Sequence, residues 1–310
     1  MIATTFFLLV LLTATTAFAP VSTRKRTTPP FVRLQVTTTG SATTSIDTLV
    51  KINKAKMDEL ARIAPDSSEM TRLRFALGFG DMSEAKDALR ESVAWRAGPG
   101  KDIVTSAKQA VEEATAEGKW NNDVVRDAAP HAYAINQFIK PKNILTVPTE
   151  SGDLLYVIRA SQIDDKGLMG AVSVQQMVDF FAYVKEIHSI VADERSLATG
   201  RLCNVALVND IKGTRQAPDA QFSKALTSSS KQYEKLYPTL AGPTLITNLP
   251  LILQAFASLL KPFFPKTVQE RLKFIGAPEL ANLNDLTPLS MNPKIRKAFV
   301  NEIRELTNEK

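Results

Sequence analysis

The feature that most constrains this chain is a helix-length stretch that is apolar on nearly every side. Between Pro250 and Pro262 stand Leu251, Ile252, Leu253, Ala255, Phe256, Ala257, Leu259 and Leu260. Pro250 suits the first helical position, where its missing N–H would have had no intrahelical partner. At ~1.5 Å per residue the piece is about 18 Å long. It is too short to cross a bilayer, which takes about 20 apolar residues. A helix of this kind is either buried all round or exchanges one apolar environment for another. The first reading makes it a plain core helix. The second makes it a lid that covers an apolar ligand in solution and meets lipid at a membrane. Lys261, Lys266, Arg271 and Lys273 lie on its C-terminal side, and basic side chains beside an apolar helix suit anionic headgroups. A merely solvated face would carry the same charges.

The rest of the chain limits what such a helix belongs to. Residues 46–128 read as a helical unit. Asp81-Met-Ser-Glu84 is a capped helix start, with Glu84 placed to reach back, and Gly98-Pro99-Gly100 ends that helix. Ala85, Ala88, Leu89 and Val93 mark its apolar face, and the charged, Ala-rich stretch 101–118 reads as a surface helix. After about residue 129 the pattern changes. Strand-like runs at Leu154–Arg159, Val205–Asp210, Thr244–Asn248 and Leu272–Ile275 alternate with helical segments. The longest helix carries Val174, Met177, Val178, Phe181, Val184, Ile187 and Val191 at three- and four-residue steps. Alternation of this kind predicts an α/β fold, a mixed sheet layered with helices, over 129–310.

The chemistry on offer is narrow. One cysteine, Cys203, excludes an internal disulfide and a cysteine-cluster zinc site, and His131 and His188 are the only imidazoles. No Gly-x-Ser-x-Gly elbow, His-Glu-x-x-His or phosphate loop is present. Asp164-Asp165 beside Lys166-Gly167 reads as a polar loop, Gly78-Phe-Gly80 as a turn between helices, and Cys203 as a small core residue opening a strand. His131 follows Pro130 in a linker, and His188 reads as a packed or surface imidazole. These residues predict a protein that is not an enzyme and needs no cofactor or metal.

The net charge is +6, but Arg24, Lys25, Arg26 and Arg33 stand in residues 1–45, which hold no acid, leaving +2 for the remainder. The basicity therefore belongs to a leader and gives no footprint for nucleic acid. Phe6–Leu12 followed by small residues reads as a signal peptide over 1–19, and the Ser-, Thr- and Arg-rich stretch 20–45 has transit-peptide composition. The join Ala17-Phe-Ala-Pro20 resembles the motif that diatoms and related algae use to route proteins into complex plastids. Plastid import is the expectation; plain secretion with a Thr-rich spacer is the alternative.

Several segments together resemble the CRAL-TRIO lipid-binding domain of the phosphatidylinositol/phosphatidylcholine-transfer and retinaldehyde-binding proteins. Leu73-Arg-Phe-Ala76 and Ala94-Trp-Arg96 are similar to its N-terminal helical unit. Gly152-Asp-Leu-Leu-Tyr156, Val208-Asn-Asp-Ile-Lys-Gly213, Tyr237-Pro238, Ile246-Thr-Asn-Leu-Pro250, Lys261-Pro-Phe-Phe264 and Thr267–Gly276 follow in the family's order, so the likeness covers about residues 55–280.

The resemblance implies a non-enzymatic carrier with a lipid cavity floored by the sheet and gated by the helix at 250–262. The physics agrees with such a design. A sixteen-carbon chain left in water forfeits roughly 13 kcal/mol at ~0.8 kcal/mol per methylene, so a carrier must enclose its ligand. On this likeness Tyr156, Val205, Leu207, Asn248, Leu251, Phe256, Leu260 and Arg271 are the expected cavity and gate residues. For the strand residues among them, ordinary core packing is the equal alternative. The phosphatidylinositol-binding branch holds its headgroup with two hydroxyl residues on a strand, a Glu after Tyr-Pro and a basic residue after the gate. Here those positions are Val205, Leu207, Thr239 and Arg271, so three of four polar contacts are missing. An isoprenoid or another glycerolipid fits the apolar strand better, since a buried phosphodiester without partners is costly. A membrane-recruited lipid sensor is the competing reading.

Overall fold

The computed structural model describes residues 44–118, 120–139, 144–148, 152–211, 218–249 and 272–276. The described residues open on three helices: α1 (Ile46–Ile63), α2 (Glu69–Gly78) and α3 (Met82–Ala97). Each begins on a short polar side chain that accepts an otherwise unpaired N–H, from Ser45 to Thr48, Ser68 to Thr71 and Asp81 to Ser83. The cap at Asp81 is as the sequence predicts. The reciprocal capping box stands instead at Ser173 and Gln176, where the longest helix starts. Val93 is 44% exposed, so the buried face of α3 runs through Ala85, Ala88, Leu89 and Ser92. The reason is the Ser92 hydroxyl, which receives Arg96 and donates to the Leu236 carbonyl at 3.4 Å. Leu60, Leu73, Phe75 and Leu89 from these helices form one hydrophobic cluster, joined by Leu202.

Helix α4 (Lys101–Thr115) was expected on the surface. Only its outer face is: Ala107, Ala110, Val111 and Ala114 are buried. Small side chains at this spacing let it lie close against another helix, and it packs on α8. Short helices α5 (Asn122–Asp127) and α6 (Ala132–Ile135) lead to the sheet, with His131 between them in the left-handed region at φ 61°. Asp164 and Asp165 are not a loose loop. Asp164 caps α7 (Asp165–Ala171) through the Gly167 N–H at 2.9 Å, and Asp165 accepts the Asp219 N–H at 2.6 Å.

Among the described residues the sheet has five strands in chain order: β1 (Ile144–Pro148), β2 (Leu154–Arg159), β3 (Val205–Asp210), β4 (Ala241–Leu249) and β5 (Leu272–Gly276). β1 runs antiparallel to β2; the other pairs are parallel. Parallel neighbours need crossovers, and α8 (Val174–Thr199) and α9 (Ala220–Leu236) lie in the first two. This is the α/β architecture, behind a helical N-terminal region, that the alternation predicts. Leu154, Leu155, Tyr156 and Val157 are each at most 3% exposed, so β2 is buried on both faces.

α8 is the central strut. It buries Met177, Phe180, Phe181, Tyr183, Ile187, Val191 and Ala192, going well round its circumference, between α4 and α9. Burying side chains such as Phe180 and Ile187 contributes about 1.5–3 kcal/mol each. Cys203 is buried two residues before β3 begins, its thiol 3.4 Å from the Thr199 hydroxyl, and burial pushes its pKa up. It is an inert core residue.

Two arginines, Arg74 buried and Arg96 half-buried, tie the N-terminal helices to the sheet layer. Arg74 on α2 is 3% exposed and donates to Asp193 at 2.6 Å, to the Cys203 carbonyl at 2.9 Å and to the Thr239 carbonyl at 3.2 Å. Arg96 at the end of α3 pairs with Glu186 at 3.0 Å and lies over the Tyr237 ring, whose hydroxyl donates to the same carboxylate at 2.8 Å. Gly78 ends α2 against Pro238; a Cβ there would stand 2.5 Å from the proline Cβ. So Leu73-Arg74-Phe75, Trp95-Arg96 and Tyr237-Pro238, far apart in the chain, are parts of one joint.

Candidate functional site

Alternation along a strand puts every second side chain on one face. In register, Leu154 stands beside Val205 and Tyr156 beside Leu207, with Thr244 the neighbour of Leu207 on the next strand. The structure thus brings the three expected residues Tyr156, Val205 and Leu207 onto one face of the sheet. That face packs on α8 and α9: Tyr156 and Val205 belong to the same core cluster as Phe180, Tyr183, Ile187 and Phe222, and half-buried Leu207 packs against it. Asn248 lies in β4, near a break in the register with β5 between Ile246 and Leu249. Leu251, Phe256, Leu260 and Arg271, with Lys261 and Lys266, lie outside the described residues, and Lys273 contributes its backbone to β5.

The face is not uniformly apolar. Where it meets α5 and α8 a small cavity of about 10 Å³ remains, its lining including Asn122, Arg126, Thr146, Tyr156, Phe180 and Tyr183. Arg126 is 3% exposed, its guanidinium 4.7 Å from the centre of the Phe180 ring. One of its nitrogens, Nη2, donates to Asn136 Oδ1 at 2.6 Å and to the Ile139 carbonyl at 2.8 Å. Its Nε and Nη1, together with Asn122 Nδ2 and the Tyr156 hydroxyl, are buried without a hydrogen-bond partner. Burial pushes the pKa of Arg126 down from its ordinary value and that of Tyr156 up. The phenol therefore stays protonated.

On the far side of Tyr156 lie two more titratable groups. The His188 ring meets the Tyr156 ring edge-on at 4.8 Å, and its Nε2 is 2.9 Å from the Thr146 hydroxyl. Burial first, and the charge of Lys185 second, hold the His188 pKa well below the usual imidazole range. It is the packed imidazole the sequence allowed, and neutral. The Lys185 ammonium lies 5.2 Å from the centre of the Tyr156 ring and 4.4 Å from that of Tyr233. Burial lowers its pKa to about 8.

Of these polar groups the sequence singles out only Tyr156 as a site residue. Asn122 and Arg126 sit in Asn121-Asn-Asp-Val-Val-Arg-Asp127, within the stretch 46–128 read only as a helical unit. Their spacing of four was the available signal, since it sets both on one side of a helix. Among the described residues no group of histidine, cysteine and carboxylate side chains could hold a metal ion, and no helix is long and apolar enough to cross a membrane.

A family model described as the CRAL/TRIO domain matches residues 140–295, half of the chain. No curated protein matches the sequence. The matched segment contains all five strands and the crossover helices α8 and α9. Members of that family bind and transfer lipids or small hydrophobic molecules and are generally not enzymes. The chain belongs to the CRAL/TRIO domain family.

Proposed function

We propose that this protein is a non-enzymatic carrier that encloses a hydrophobic lipid, an isoprenoid or a glycerolipid, and moves it between membranes. The observation that carries the reading is the family match, which spans the whole sheet from Ile144 to Gly276. The sheet is the proposed floor of the cavity, with Asn248 on β4; Tyr156, Val205 and Leu207 support it from the face that packs on α8 and α9. The apolar helix at 250–262, with Leu251, Phe256 and Leu260, is the proposed gate. Lys261, Lys266, Arg271 and Lys273 are its proposed contacts with anionic headgroups, on the electrostatic grounds given above. The apolar side chains at Val205 and Leu207 argue against an inositol phosphate on β3. The leader at 1–45 proposes the plastid as the place of work, and a reporter carrying that leader should enter plastids.

The test is mass spectrometry of the lipid extracted from the full chain purified without detergent, followed by transfer of that lipid between vesicles. A stoichiometric lipid that moves to acceptor vesicles faster with protein than without is expected. A retained lipid that never transfers would replace the carrier by a membrane-recruited sensor. A folded protein that neither carries nor takes up lipid would overturn the reading.

A further inference from the structure

Several donors around the cavity beside Tyr156 are left without an acceptor. Arg126 contributes Nε and Nη1, Asn122 its Nδ2 and Tyr156 its hydroxyl, all buried and unpartnered. The guanidinium carries its charge at any physiological pH, and the groups that hold it are neutral: an amide oxygen, a carbonyl and an aromatic face. No carboxylate among the described residues pairs with it. A buried cation without a counter-charge is costly, and a buried donor without an acceptor adds to the cost. A water molecule would satisfy donors but leave the charge uncompensated. A phosphodiester headgroup is far too large for a volume of about 10 Å³, which is room for one atom-sized occupant.

We infer that the cavity between Asn122, Arg126 and Tyr156 is a binding site for a compact anion, one carboxylate-type oxygen or a halide. The occupant is either the acidic end of a lipid or a small free anion. The lipid-borne form rests on the carrier reading above; the free-anion form does not. The geometry gives the site an apolar wall as well, since Phe180 and Tyr183 line the same space.

Palmitate and hexadecanol share a chain and differ in the charge at its end, so their binding to the full chain, with sodium chloride compared against sodium gluconate, separates the cases. Charge-assisted hydrogen bonds in a buried setting predict that palmitate binds about 30-fold tighter than hexadecanol. Arg126→Gln should bring that ratio close to one. Tyr156→Phe should cut it several-fold, and this variant carries the test if Arg126→Gln does not fold. A ratio near one in the wild type, with chloride raising the melting temperature above that in gluconate and Arg126→Gln removing the difference, assigns the site to a free anion. A ratio near one with no chloride effect would overturn the site while leaving the carrier reading intact. Chloride stabilisation in a chain that binds neither palmitate nor hexadecanol would keep the site as one for a free anion and overturn its lipid-borne form.

Discussion

Replacing Arg74 by methionine should lower the stability of the folded chain by about 3–4 kcal/mol, the usual scale for breaking a buried, multiply bonded charge. The expectation follows from what the guanidinium holds together. Its three contacts are the Asp193 carboxylate on α8, the Cys203 carbonyl before β3 and the Thr239 carbonyl before β4. Methionine fills the volume and leaves all three acceptors behind. Asp193 is 21% exposed and can take water in return, whereas the Cys203 carbonyl bond is buried and has no such recourse. Asp193→Asn should therefore cost only about 1 kcal/mol, because a neutral acceptor remains for Arg74 Nε. Arg74→Lys should recover less than half of the loss, since one ammonium cannot span three acceptors on separate elements. Urea denaturation of the three variants checks the order. Equal midpoints for Arg74→Met and Asp193→Asn would show that the arginine works as half of an ion pair and not as a joint.

The elements that the sequence revealed are those whose side chains repeat their instructions. Leu154–Arg159 and Val205–Asp210 are strands over the very residues read as runs of branched apolar side chains. β4 starts at Ala241, three residues before the run that marks it, because Ala241-Gly242-Pro243 carries no strand pattern while still lying beside β3. β1 went unread. It ends in Pro148 and pairs on one edge only, with β2, where a missing N–H is tolerated. The stripe on α8 was legible through Val191, but the helix runs on to Thr199, with buried Ser196 bonding back to the Ala192 carbonyl. Of the site, the apolar face was legible and the polar cluster was not. Asn122, Arg126 and Lys185 are ordinary surface residue types, and only the packing of α5 and α8 against β1 and β2 takes them out of water. The family motifs were legible as motifs, while their physical role was not: Arg74, Arg96 and Tyr237 meet only once the chain has folded.

Between pH 8 and pH 10 the wild-type protein should gain stability relative to a Lys185→Met variant, while the Cys203 thiol, which burial holds protonated, takes stability from both. Lys185 is the cause of the gain. In the unfolded chain its ammonium titrates near its ordinary value of about 10.4; in the fold, burial lowers that to about 8. Across the interval the unfolded state holds more of this lysine's proton than the folded one, so its contribution to stability rises with pH, by about 3 kcal/mol at the limit. At pH 7 the folded state bears the full cost of a charged, sunken ammonium, offset in part by the Tyr156 and Tyr233 rings it touches. Above pH 10 the sign reverses. Burial raises the pKa of Tyr156 and Tyr183, so the fold keeps protons that the unfolded chain releases, and stability falls. Below pH 6.5 a further loss sets in, because His188 is held neutral and the unfolded imidazole takes up a proton. Lys185→Met isolates the first of these effects. Its apolar stem fits the same space, so the variant should be about 2–3 kcal/mol more stable than the wild type at pH 7.5 and within about 0.5 kcal/mol of it near pH 10. Denaturation midpoints at half-unit steps of pH would read both. A gap between the two proteins that stays constant from pH 7.5 to pH 10 would mean that the ammonium reaches water.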